Sequence, residues 1–433
     1  MTIGMHKRTL GLAAGIAATM LAGTASAQAP PATPPLVSPA PAMAPAPAPA
    51  TAPAPAAAYV QTPIEAVLQD ASEYARATGV TLDEATRRLL AQQGSVAATD
   101  GVAQVFRDRL AGIAIEHAPI YRIVVLLTGD APVADQHIVA GGIDVPIVFR
   151  TGARATREAV VAAIGRHQAE IRATLRVPPG IGLDQRTGEM VITARRADVD
   201  TFGERGLAAR FGDLTGVPVR LMVLDGPATN SAAEGGSRVV GVNPLDGKRY
   251  ACTTGFVVTD GVRRGVVTAA HCPDSLTYYG PDNVGEPLDY VGQWGWGYQD
   301  VQVNVSNAAL RPLFYADSAR TFARSVSTWR ARASTRAGDV VCHRGERTGY
   351  SCAQVELTDF APAGDLCGGA CLPTWITVGG PGCKGGDSGG PVFSGAVAFG
   401  ILKGSSYRAD GSCGFYYYMS VDFLPEGWSL LRE

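Results

Sequence analysis

Two short stretches near the end of the 433-residue chain hold residues whose types and spacing could do chemistry. Thr268-Ala269-Ala270-His271-Cys272 closes an apolar run on a histidine, and Gly386-Asp387-Ser388-Gly389-Gly390-Pro391 sets a serine in a glycine-rich turn. A serine hydroxyl is a poor nucleophile at its own pKa and needs a neighbouring base, for which imidazole is suited near neutral pH. Glycines let the backbone fold until the N–H groups of Gly386 and Ser388 converge beside that hydroxyl, the shape that stabilises the oxyanion of acyl transfer. Only His271 and His343 occur beyond residue 250, so scarcity alone points to His271. A third group must hold the imidazole tautomer and stabilise its protonated form. Asp300 leads into the alternating run Val301-Gln302-Val303-Asn304-Val305, where an acid has little structural reason to stand; Asp274 and Asp289, in turn-like surroundings, are its rivals. The glycine-flanked serine also fits an α/β-hydrolase, but that fold needs a histidine after the serine, and none follows His343.

The elements that must position these residues read as β. Runs at 238–242, 253–259, 264–268, 301–305, 340–342, 354–357, 375–378, 390–393, 397–402 and 415–420 are separated by Gly, Asp, Asn and Pro turns, which predicts an all-β barrel or sandwich. This region also holds every cysteine (Cys252, Cys272, Cys342, Cys352, Cys367, Cys371, Cys383, Cys413) and all five tryptophans. An even cysteine count fits disulfides in an oxidising compartment, although spacing alone leaves roughly a hundred connectivities open. Zinc at Cys367, Cys371 and Cys383 is disfavoured by the expected export and by the lack of a Cys-x-x-Cys pair.

The first part of the chain is built differently. Residues 1–27 read as a secretory signal: Lys7 and Arg8, an apolar run, then Ala25-Ser26-Ala27 as cleavage site. Residues 28–61 form an Ala/Pro-rich linker, extended and without a core. Residues 62–234 read as an α+β unit with helices over 64–77, 81–92, 154–175 and 198–211 and strands over 120–127, 145–149, 189–193 and 217–223. Thr81 and Glu84 have the spacing of a capping box. His117, His137 and His167 lack metal-ligand spacing and are expected at the surface or core edge. The small, polar, Gly/Pro-bearing stretch 225–237 reads as a boundary before residues 235–433. A net charge of -2 without a basic block argues against nucleic acid or an anionic membrane as partner.

From about Val239 onward the two motifs resemble the trypsin/chymotrypsin superfamily of serine proteases, and more narrowly the bacterial branch of α-lytic protease and the streptogrisins. Val341-Cys342-His343-Arg344 through Tyr350-Ser351-Cys352 is similar to a disulfide hairpin of that branch. The resemblance implies two packed six-stranded antiparallel barrels with His271 as general base, Asp300 as its orienter, Ser388 as nucleophile and the amides of Gly386 and Ser388 as oxyanion hole. It further implies a secreted, monomeric endopeptidase acting on proteins or peptides without metal or cofactor. Its α+β unit would be a pro-region that assists folding and inhibits the enzyme. Disulfides Cys252–Cys272, Cys342–Cys352 and Cys383–Cys413 are implied, leaving Cys367 and Cys371 for each other. Departures centre on Leu402-Lys403-Gly404-Ser405, which stands where the branch has a Ser-Gly-Gly wall. Lys403 removes a hydroxyl that supports the acid of the triad, which keeps a catalytically silent binding module as the rival reading. Lys384, Lys403, Gly404 and Ser405 are the candidate pocket residues; long cationic chains normally point to solvent, so small or apolar substrate side chains are expected. Asp387 should be paired inside the fold, with Arg344 as the candidate partner.

Overall fold

The computed structural model describes residues 58–224, 228–230, 236–280, 283–295, 297–306, 310–364 and 366–432, with the backbone alone at 228–230. The expected signal and nearly all of the Ala/Pro linker lie outside the described residues. The linker reading extends to residue 61, but Tyr59–Gln61 forms a strand paired in parallel with Phe322, Ala323 and Arg324.

The described residues contain six α-helices, all between Pro63 and Thr215. Helix α1 (Pro63–Thr78) begins with a full capping box: Thr62 accepts from the Glu65 amide, and the Glu65 carboxylate accepts from the Thr62 amide. Pro63 occupies the first turn, where its missing N–H costs nothing, and Gly79 ends the helix in the left-handed region at φ 74°. At α2 (Leu82–Gly94) only half of the expected box forms, because Glu84 turns to the Arg88 guanidinium at 2.7 Å. Helix α3 (Val96–Val105) follows Ser95, whose side chain makes no cap bond. Helix α4 is Arg157–Thr174. The single helix expected over 198–211 is two, α5 (Arg196–Phe202) and α6 (Glu204–Thr215), broken at Gly203, whose φ is 74°.

From Arg238 the chain makes two closed antiparallel systems. The first joins Arg238–Val242, Arg249–Thr253 continued by Val257–Thr259, Arg264–Thr268, Val301–Val305, Asp289–Trp294 preceded by Gly285–Pro287, and Leu276–Tyr279, which returns to Arg238–Val242. The Gly255 N–H to Val267 carbonyl bond and the Leu288 N–H to Leu276 carbonyl bond carry the pairing across the two strand breaks. The second runs Gly349–Gln354, Val340–Gly345, Pro391–Ser394, Val397–Tyr407, Cys413–Ser420, Ile376–Gly379, and the bridge between Val355 and Val378 closes it. This is an all-β double six-stranded antiparallel barrel. Disulfides link Cys252–Cys272, Cys342–Cys352, Cys367–Cys371 and Cys383–Cys413.

The α+β part is tied to the barrels by backbone and by charge. Thr358–Ala361 adds as a fourth strand to the sheet of Ile181–Asp184, Glu189–Ala194 and Val219–Val223. Within that strand, at its register shift, Asp359, held at φ 49°, takes a bidentate Arg157 at 2.8 and 3.0 Å. Asp70 of α1 is fully enclosed by Arg324 of the strand Phe322–Ser325 and by the Tyr350 hydroxyl and the Gly395 amide of the second barrel. His117, at the core edge, links the Tyr74 hydroxyl to the Gly338 carbonyl. Removing one partner of a buried ion pair strands the other charge, at a cost of about 3–5 kcal/mol. Asp70→Ala is therefore expected to lower the unfolding free energy of the full chain by about that amount, measured by urea denaturation. A loss below about 1 kcal/mol would show that Arg324 finds another anion.

Candidate active site

Strand pairing places the first two groups. Thr268 lies opposite Gln302 in the ladder between Arg264–Thr268 and Val301–Val305, so the residues just outside each end, His271 and Asp300, meet at one rim of the first barrel. The Cys252–Cys272 disulfide clamps the turn that carries His271. The carboxylate of Asp300 accepts from the His271 backbone amide at 3.1 Å through Oδ1, and its Oδ2 lies 2.8 Å from His271 Nδ1. A carboxylate can only accept here, so Nδ1 carries a proton, and in the neutral imidazole Nε2 is then the acceptor. Asp274 and Asp289 are exposed, whereas Asp300 is buried, as a tautomer-fixing acid must be.

Ser388 comes from the second barrel. Its Oγ lies 2.9 Å from His271 Nε2, and its carbonyl accepts from the Thr253 amide at 2.7 Å, a main-chain bond between the two barrels. The turn before it is built on Asp387, which is fully buried. Its carboxylate accepts from the amides of Lys384, Arg347 and Thr348 and from the Thr348 hydroxyl. That corrects the expected Arg344 partner: Arg344 pairs with Glu346 at 3.0 Å. Four donors satisfy the buried carboxylate without a guanidinium, because bonds from backbone amides to an ionised acceptor are charge-assisted and strong. Gly386, at φ 135°, supplies a backbone geometry that L side chains rarely adopt.

The candidate pocket residues separate. Lys384 is exposed, while Gly404 and Ser405 are buried and pair with Asn230 and Thr229 of the segment Ala228–Asn230, which lies antiparallel along them. Lys403, expected at the pocket wall, turns inward: its ammonium sits 2.9 Å from Asp300 Oδ2 and 5.1 Å from the Trp375 ring centroid. Burial would raise the Asp300 carboxyl, but the charges of His271 and Lys403 outweigh it and hold the group well below the usual carboxylate range. The sequence marked Lys403 as a departure but carried no signal of its direction, since a lysine after an apolar strand usually turns to solvent. Met419 was also missed; its sulfur accepts from the Asp300 amide at 3.3 Å. Beside His271 a cleft of about 460 Å³ opens, lined by Asn243, Leu245, Tyr250, Ala270, Pro273 and Gln293.

Chemically, a neutral imidazole accepting from a serine hydroxyl, with its other N–H held by a buried carboxylate, can draw the proton from that hydroxyl as it attacks a carbonyl. Removing the acceptor at the heart of the serine turn should unfix it. Asp387→Ala removes four charge-assisted bonds, three of them from backbone amides, so a loss of about 2 kcal/mol in stability is expected by thermal denaturation. An unchanged melting transition would remove Asp387 as the anchor of the turn.

No protein-family model matches the chain. Streptogrisin-C of Streptomyces griseus is 26% identical over 193 residues, 41% of this chain; the chain spans only 37% of that protein's length. Among solved structures, Thermobifida fusca protease A aligns with a TM-score of 0.37 and 21% identity, over 46% of this chain and 98% of that one. A Nocardiopsis protease, NAPase, aligns with a TM-score of 0.34 and 21% identity, over 44% and 92%.

Proposed function

We infer that this chain is a serine endopeptidase of the chymotrypsin-like bacterial kind, which cuts peptide bonds by acyl transfer. The observation that carries the reading is the contact of Ser388 Oγ with His271 Nε2 at 2.9 Å, with Asp300 behind the imidazole at 2.8 Å. Ser388 attacks the substrate carbonyl while His271 takes its proton, and Asp300 stabilises the imidazolium. The amides of Gly386 and Ser388 receive the oxyanion. His271 then protonates the leaving amine, and water repeats the cycle to free the acid. Acyl transfer by this route draws on protein groups throughout.

The α+β part is read as a pro-region, and the protein as an exported zymogen cleaved after Ala27 and again between residues 225 and 240. Support comes from the backbone of Ala228–Asn230, which pairs with Gly404, Ser405 and Ser406 as a peptide substrate would. Four disulfides suit an oxidising extracellular or periplasmic space. No helix among the described residues is long and apolar enough to cross a membrane. With Lys403 held by Asp300 and Lys384 exposed, small or apolar substrate side chains remain the favoured class.

A fluorophosphonate probe is expected to label the processed protein at Ser388, and Ser388→Ala to abolish labelling. Asp300→Asn should lower kcat by about 10⁴-fold through the wrong tautomer. Folded, processed protein that takes no label would instead be a silent binding module. For the pro-region, refolding of residues 236–433 should be slow alone and fast when residues 59–224 are supplied in trans; rapid unaided recovery of activity would overturn the folding-assistant role.

A further inference from the structure

Lys403 is the residue of the site whose presence the acyl-transfer chemistry does not require. Lysine is almost never fully buried unless paired, yet Lys403 is 2% exposed. The reason lies in the strand. Along Val397–Tyr407, Leu402 pairs with Tyr418 and Gly404 with Tyr417, so Lys403 is the extra residue of a bulge. A bulge breaks the in-and-out alternation and re-aims a side chain. Here it sends the lysine stem into the interior beside Trp375, which is fully buried, and delivers the ammonium to Asp300.

The oxygen it reaches matters. Asp300 Oδ2 lies 2.9 Å from Lys403 Nζ and 2.8 Å from His271 Nδ1, so one carboxylate oxygen serves two cationic partners once His271 is protonated. A hydroxyl at this place would donate a hydrogen bond and leave the carboxylate its full charge. An ammonium donates the bond and also offsets the charge.

We propose that Lys403 is a positioning residue that both anchors Asp300 and sets the charge felt by His271, so that the base stays free of its proton to lower pH than it would beside a hydroxyl. The inference rests on the peptidase reading above. Its physics is competition: proton uptake by His271 places a second positive charge against an anion already paired. The groups facing this cluster come from every side. His271 follows Arg264–Thr268, Asp300 precedes Val301–Val305, Lys403 lies on Val397–Tyr407, and Tyr417 lies on the neighbouring strand Cys413–Ser420. Tyr417 stays neutral, since burial and then the Asp300 charge push its hydroxyl up. The same competition weakens the imidazolium formed during turnover, so tolerance of acid is gained against strength of the base.

The experiment measures fluorophosphonate inactivation rate against pH, between about pH 4 and pH 9, for protein produced from the full chain. Lys403→Met keeps the volume and removes both bond and charge; Lys403→Ser removes the charge and shortens the buried side chain to a hydroxyl. Both variants are expected to move the acid limb up by about one pH unit, a tenfold loss of rate at the foot of the limb. Both variants should also lose rate on the plateau, where positioning counts. Limbs that coincide with wild type, in whichever variant folds, would overturn the proposal and leave Lys403 a packing residue. A wild-type protein that never labels at Ser388 would instead overturn the peptidase reading. Independently of any variant, the Lys403 ammonium of the wild type should give a slowly exchanging ¹⁵N signal at neutral pH; a neutral amine there would also overturn the proposal.

Discussion

Everything at the centre of this molecule depends on keeping one carboxylate ionised where water does not reach. Asp300 is buried at the rim of the first barrel, and an isolated anion there would take up a proton rather than stay charged. It stays charged because three donors converge on it: the His271 amide, the His271 ring and the Lys403 ammonium. Each comes from a different requirement of the fold. The amide and ring follow from the register of two neighbouring strands, and the ammonium follows from a bulge in the opposite barrel. The carboxylate is thus a point at which both barrels must agree in position to a few tenths of an ångström.

The serine turn meets the same requirement from the other side. Asp387, also fully buried, gathers three backbone amides and a hydroxyl, which leaves the short Gly386–Gly390 segment little freedom. The Thr253 amide bond to the Ser388 carbonyl then sets that turn against the first barrel. Two buried acids, one per barrel, organise a site whose candidate nucleophile is a neutral hydroxyl. Neither acid needs to move during a reaction, which is what preorganisation means in a low-dielectric setting.

The α+β part engages the barrels through the same kinds of interaction, though at their outer edges. It donates a sheet to Thr358–Ala361, places Asp70 on Arg324 and holds Asp359 in the left-handed region with Arg157. Backbone pairing and buried ion pairs are directional, so they favour one docked geometry over a sliding hydrophobic contact. The chain leaving this part then runs along Gly404–Ser406 next to the serine turn.

By itself the sequence determined the residue types that could react, His271 and Ser388, because few histidines and one glycine-caged serine turn were on offer. It also determined that the second part is β-rich, through alternation and turns, and that several helices exist, through apolar periodicity. Local signals failed where competition decided: Glu84 chose Arg88 over its cap, and Gly203 split a helix that period alone had kept whole. Choosing Asp300 over Asp274 and Asp289 rested on a strand argument, and burial is what distinguishes the three in space. The partner of Asp387 and the direction of Lys403 were beyond the sequence. Both depend on where segments 40 and 103 residues away come to lie, and on a bulge that alternation cannot announce. Residue chemistry is local and can be read in order along a chain; the field around a buried charge is made by distant neighbours, and only the tertiary structure brings them together.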